Sequence, residues 1–344
     1  MQRPIMNPVF LEHEVEPPPR RRLSLLSVMR FLAAVLLWDL TSLRRGPRLQ
    51  IEDGSAGGRI IKGMLYRLLF VPVLLAGLVG ALVWVGTHPP RIHSSRDPLS
   101  LGIYYDPVSF LSSDGTRLEG WLVPPVDARK VLEQKEKAVG RRYPATVLLH
   151  DYAAGRMQML PLVRPLHEAG YVVLVVALRG SSSSNSAGST FGLREAGDVA
   201  AAVDLLKRRP GVDANRIALI GVGTGANAAI LAAQQEPSVA ALVVDRPVSG
   251  IDQVIEQIIL PPNPYLDWMK PACKWTFEIA YRVNSEDLSP TRRAALESKP
   301  SLVFARDATT SHLFHGRGIT QMKEFLARHL PDPEPVPTAK LFGQ

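Results

Sequence analysis

A single cysteine, Cys273, stands in a chain of 344 residues. That excludes an intramolecular disulfide and a cysteine-built zinc cluster. No internal repeat recurs at a period of 20–50 residues, which excludes a solenoid or propeller array. Gly and Pro number 26 and 29 but follow no collagen-like period. No metal-ligand cluster is evident, so neither a metal nor a cofactor is expected. A basic excess is also missing where a nucleic-acid binder would need it. Residues 101–344 hold 27 Lys/Arg against 25 Asp/Glu, whereas residues 1–100 hold 13 against 7. A nucleic-acid partner requires a basic patch on the folded part, and none is expected here.

The hydrophobic fraction is 46%, enough for a sizeable core, and excludes a largely disordered chain. At roughly 150 residues per domain the length allows two domains, or one domain plus appendages. The basic excess of the first hundred residues surrounds two apolar segments, which points to a membrane. Residues 68–86, LLFVPVLLAGLVGALVWVG, form an uncharged run of 19 residues. At about 1.5 Å per residue it matches the hydrocarbon thickness. Tyr66 and Trp84 lie near its two ends, as an aromatic belt would place them, and Pro72 falls near its start. A transmembrane helix is predicted over 68–86, and a bilayer is a predicted partner. The run starts too deep for a cleaved signal peptide. Residues 23–42 contain a second apolar stretch, Leu23–Trp38, interrupted by Arg30. It reads as an amphipathic helix in the interface or as a second span. Arg44, Arg45, Arg48, Arg59, Lys62 and Arg67 precede the main span, and only Arg91 and Arg96 closely follow it. The positive-inside rule then puts residues 87–344 outside the cytoplasm and makes residues 1–22 a flexible basic cytoplasmic tail.

From residue 104 the pattern changes. PVSFLSS, Asp114-Gly115 and TRLEGWLVP read as a hairpin with a turn-forming Asp-Gly. A charged helical stretch (127–139) follows. Buried strands over 145–150, 171–177, 216–221, 239–245 and 301–305 then alternate with helices over 155–169, 193–208, 224–235 and 319–330. Such alternation predicts an α/β fold, a doubly wound and mainly parallel sheet covered on both faces. Residues 250–298 interrupt the order as a helical, aromatic-rich insertion over the carboxyl edge of the sheet.

In this order SSDGTRLEGWLVPP (112–125), LLHDYAAGR (148–156), GYVVLVVALRGSSSSNSAGSTFG (170–192) and LREAGDVAAAVDLL (193–206) resemble the α/β-hydrolase family over residues 104–344. The resemblance implies a nucleophile elbow G-x-S-x-G between strand and helix. The matching residues are Gly221-Val222-Gly223-Thr224-Gly225, so Gly223 stands at the nucleophile position and offers no side chain. Thr224, one position on, matches the residue whose backbone N–H enters the oxyanion hole; its hydroxyl is expected to face away, which makes it a poor substitute nucleophile. His150, Asp151 and Tyr152 match the oxyanion loop after the third strand. Asp151 replaces a usual glycine, and an anion there opposes a developing oxyanion. His150 is expected to hold the loop by hydrogen bonds. Asp307 matches the usual acid position and Asp245 an alternative one. No histidine follows TAKLFGQ (338–344), the eighth-strand candidate, while His312 and His315 come too early and His329 lies in the last helix.

Three readings result. The first is a membrane-anchored α/β-hydrolase-like protein that is catalytically inactive and binds a small-molecule or protein ligand, or scaffolds, outside the cytoplasm. The second is an active esterase or peptidase-like hydrolase with an unconventional or incomplete triad. The third is dinucleotide binding, because Gly221, Gly223 and Ala226 satisfy G-x-G-x-x-A and Asp245 ends the next strand.

Overall fold

A computed structural model of the chain describes residues 56–90, 96–125, 142–181, 187–263, 265–288, 299–304 and 311–331, with side chains from Leu68 onward. The chain divides into two units, Met1–Leu75 and Ala76–Gln344. In the first unit the described part is helical. The helix, α1 (Ala56–Thr87), begins twelve residues before the predicted span and ends in the second unit. Within it Leu68–Thr87 is long and apolar enough to cross a membrane, by length and composition.

The second unit is built on a seven-stranded sheet. Its strands are β1 (Asp106–Leu111), β2 (Arg117–Val123), β3 (Tyr143–Leu149), β4 (Val172–Ala177), β5 (Val212–Val222), β6 (Val239–Asp245) and β7 (Ser301–Phe304), ordered β1-β2-β4-β3-β5-β6-β7. β1 and β2 form the antiparallel hairpin closed by Asp114-Gly115, and β2 pairs antiparallel with β4. All remaining pairs are parallel.

The helices joining these strands are α2 (Leu160–Glu168), α3 (Glu195–Lys207), α4 (Thr224–Gln235) and α7 (Gly316–His329). Two-residue periodicity divides each strand between two cores. Val172, Leu174 and Val176 pack with Val199 and Val203 of α3 and Ala226 and Ala229 of α4. Val173 and Val175 pack with Leu162 and Leu166 of α2 and Met322 and Leu326 of α7. Both sheet faces are therefore dry, which is why the strands read as unbroken apolar runs. This is the α/β fold that the alternation predicts.

Local differences have local causes. The helix expected over 155–169 opens as a 3-10 turn, Arg156–Met159, before α2, where Pro161 occupies the first turn. β5 begins four residues early and carries a register shift against β3. The insertion is helical in its described residues. α5 (Ile251–Val254) runs into a π turn at Ile255–Ile259, and α6 (Lys270–Tyr281) follows. The segments 1–22, 23–42, 127–139 and 338–344, and Asp307, lie outside the described residues.

Candidate functional site

The parallel register of β3 and β5 builds the site. Leu149 pairs with Gly221, so the loop leaving β3 (His150, Asp151, Tyr152) meets the turn leaving β5 (Gly223, Thr224) at the carboxyl edge of the sheet. Gly223 joins β5 directly to α4 with φ 56° and ψ −117°, a conformation that L side chains rarely adopt. Its N–H donates to the Asp245 carbonyl at 2.9 Å, fastening the turn to the end of β6. A strand, a strained residue and a helix N-terminus in immediate succession are the geometry of a nucleophile elbow.

The Asp151 side chain fills that elbow. Its Oδ1 accepts from the Thr224 N–H at 2.9 Å and from the Tyr152 N–H at 2.7 Å. One donor follows the elbow residue and the other comes from the β3 loop, the two positions from which an α/β-hydrolase draws its oxyanion-hole donors. A Cβ built on Gly223 would overlap the Asp151 carboxylate. The Arg246 guanidinium lies 3.7 Å from Asp151 Oδ2. Burial pushes the Asp151 carboxyl above its usual range, opposed by the N–H donors and by Arg246. The Thr224 side chain adds a smaller lowering influence on the same carboxyl. The Asp151 carboxylate thus sits on the two N–H groups at the place where an α/β-hydrolase elbow would hold an oxyanion.

His150 is buried and neutral. Burial, and more weakly the Arg156 charge, hold its pKa near 4 despite the bond to the Asp151 carbonyl. Nε2 accepts from the Leu178 N–H at 3.1 Å, so Nδ1 carries the proton and donates to the Asp151 carbonyl at 2.8 Å. The Ser181 hydroxyl lies 3.0 Å from Nε2 and 2.6 Å from the Leu178 carbonyl. Asp245 is fully buried, with one carboxylate oxygen accepting from Ser311 and the other lacking a hydrogen-bond partner. His312 and His315 are exposed, and His329 Nδ1 bonds the Phe325 carbonyl within α7.

These facts correct the dinucleotide reading. The helix N-terminus where a pyrophosphate would sit already holds a carboxylate, and Asp245 is bound to Ser311 rather than open to a ribose. Among the described residues no three His, Cys, Asp or Glu side chains converge as a metal site.

Two features were not legible in the residues. Arg179, from the Leu-Arg-Gly segment, donates to Asp198 Oδ2 at 2.9 Å and to Asp114 Oδ2 at 2.8 Å. This triad, buried at Arg179 and Asp198, ties the β1–β2 turn to α3. The end of α1 also closes over the site. Tyr152 Oη donates to the Gly86 carbonyl and Tyr281 Oη to Thr87 Oγ1, both at 2.6 Å, and the Ser189 N–H donates to the Thr87 carbonyl at 2.8 Å. The space left among Pro89, His150, Asp151, Tyr152, Ser181 and Thr224 is about 10 Å³. A groove of about 490 Å³ lies elsewhere, against Arg194, Gln234, Gln235, Arg282 and Asn284.

The family model for X-Pro dipeptidyl-peptidase (S15 family) matches residues 114–294. The chain belongs to this S15 family. The match runs from the hairpin turn through the elbow to the insertion. The uncharacterized protein YfhR of Salmonella typhi is 28% identical over 171 residues, covering 46% of this chain and 54% of that protein. The uncharacterized protein Rv2307c of Mycobacterium tuberculosis (strain ATCC 25618 / H37Rv) is 32% identical over 143 residues, covering 42% and 46%. The chain spans about half the length of these curated relatives. Among solved structures the Pyrococcus furiosus esterase Pf2001 superposes with a TM-score of 0.52 at 21% identity, over 71% of this chain and 98% of that one. S15 membership and this likeness establish an α/β-hydrolase fold.

Proposed function

We propose that this protein is a membrane-anchored α/β-hydrolase-domain protein that does not hydrolyse substrates at its elbow and serves as a binding or scaffolding module outside the cytoplasm. The observation that carries the reading is the Asp151 carboxylate on the Thr224 and Tyr152 N–H groups, over a glycine at the nucleophile position. Acyl transfer needs those donors free for the developing oxyanion, and needs a nucleophile beside a base. Here the donors are taken and Gly223 has no hydroxyl. His150, held near pKa 4, is a weak base whose Nε2 lone pair already accepts from Leu178. Anchoring rests on the apolar span, and orientation on the basic residues before it. The ligand is a small molecule or a protein; the groove beside Arg194 and Arg282 has the volume for the former.

A second reading, an esterase or peptidase-like hydrolase, draws on S15 membership and on the Ser181–His150 approach. The full chain in detergent, offered a fluorophosphonate probe and p-nitrophenyl esters, separates the two. The expected result is no labelling and no turnover above buffer. Labelling removed by Thr224→Ala or by Ser181→Ala would establish the second reading. A C-terminal reporter active only in the cytoplasm should stay silent; a signal from it reverses the orientation.

A further inference from the structure

Helix α6 of the insertion is apolar on two opposite faces. Its inner face carries Cys273 and Phe277, both fully buried, and Phe277 packs on Phe191 at 5.7 Å and on Tyr281 at 5.3 Å. The other face repeats at helical spacing. Trp268, just before the helix, is followed by Ala272, Trp275 and Ile279, and Trp268, Trp275 and Ile279 are 61%, 66% and 56% exposed. Tyr265, 73% exposed, extends the patch, and the Trp268 indole N–H donates to its carbonyl at 3.0 Å. Two tryptophans and an isoleucine facing water on one helix face need a partner.

The end of α1 identifies that partner. Leu68–Thr87 has 20 residues, so at about 1.5 Å per residue it needs its full length to cross a hydrocarbon layer of about 30 Å. Thr87 then lies at the membrane edge. It is fastened to the last residue of α6 by the Tyr281 hydroxyl. Val79, Val83 and Gly86 form one covered stripe on α1, and Gly86 abuts Ile259 of the insertion. Val79 lies eight residues before Thr87, about 12 Å down the span and below the interface, whereas the contacts with the insertion are at Gly86 and Thr87. Trp84 is 62% exposed within the last turn of the same helix. Through Gly86 and Thr87 the insertion is thus joined to the end of the span, at interface depth, where tryptophan and tyrosine are favoured.

We infer that the Trp268–Trp275–Ile279 face of α6 is embedded in the lipid headgroup region beside the span, so that the domain rests on the bilayer surface through its insertion. This rests on the membrane reading of Leu68–Thr87. An interfacial helix of this kind buries its apolar face at the acyl boundary and keeps its polar flanks in water. Here Lys270 and Lys274, one helical turn apart, supply one such flank, paired with Glu256 and Glu286 at 2.7 Å each.

The test uses the full chain in phosphatidylcholine vesicles, with and without acyl chains brominated near the headgroup. The Trp268→Phe/Trp275→Phe variant, subtracted from the parent, isolates the emission of the two residues. The inference expects vesicle flotation of both proteins, loss of most of that difference emission on brominated lipid, and little loss on adding iodide to the water. Quenching by iodide alone would put the face in water and overturn the inference while the membrane reading stands, since Trp84 emission would still respond to brominated lipid. Quenching by neither agent would mean that a second copy or another protein surface covers the face, and would also overturn it. Failure to float would remove the inference together with the membrane reading.

Discussion

Replacing Gly223 with alanine separates two costs that act at one residue. The first is backbone strain. At φ 56° and ψ −117° a residue with a Cβ costs about 1–3 kcal/mol. The second is displacement of Asp151, whose carboxylate occupies the space of the new Cβ. Displacement breaks the bonds from the Thr224 and Tyr152 N–H groups, each worth about 1.5–3 kcal/mol for a charged acceptor. Rehydration of a carboxylate that burial had already pushed up in pKa returns part of this. The net displacement cost is then about 2–4 kcal/mol, and the whole substitution costs about 3–7 kcal/mol. In an Asp151→Gly background only the strain remains, about 1–3 kcal/mol. The double-mutant cycle should therefore show a coupling of about 2–4 kcal/mol between positions 151 and 223. The assay is urea unfolding of the chain in mild detergent, followed by circular dichroism and compared at constant m-value. Additivity within about 0.5 kcal/mol would refute the reasoning, because it would mean that the carboxylate does not occupy the elbow. Gly223→Ser alone should gain no esterase activity, because the His150 Nε2 lone pair already accepts from Leu178 and is not free to take the proton of the new hydroxyl.

Two further outcomes follow from buried charges. His150 is neutral in the folded protein with a pKa near 4, against 6.5 for the free side chain. Below pH 6.5 the unfolded chain takes up a proton that the folded chain does not, so stability is lost as pH falls from about 6.5 to 4, by up to about 3 kcal/mol. Unfolding midpoints measured across that window should fall more steeply for the parent than for His150→Gln; equal slopes would sink the assignment. Arg179→Met should cost about 3–5 kcal/mol, because it strands the buried Asp198 carboxylate. Asp114→Asn, on the 38% exposed partner, should cost about 1 kcal/mol or less. Thermal unfolding that ranks the two equally would contradict this division of the triad.

The alternating strands and helices were legible because both sheet faces are covered, so burial writes itself into local runs such as Val172–Ala177. Gly221-Val222-Gly223-Thr224-Gly225 marked the elbow because only glycine tolerates that turn cheaply. The long apolar helix Leu68–Thr87 was legible because an uncharged run of that length stands out in the sequence. Boundaries were less legible: the proline-broken start of α2 and the early start of β5 depend on register and packing rather than on periodicity. The resemblance to α/β-hydrolases also marked Asp151 as standing where that family usually has glycine, but not what its carboxylate does. Residues 151 and 223 are 72 positions apart, and only the pairing of Leu149 with Gly221 brings one side chain into the other's vacant Cβ space. The bonds from Tyr152 and Tyr281 to the end of α1 cross 66 and 194 positions. α6 carries two apolar stripes, Cys273–Phe277 and Trp268–Trp275–Ile279. Periodicity sees both equally, and tertiary packing alone chose which is buried, because only one could meet Phe191.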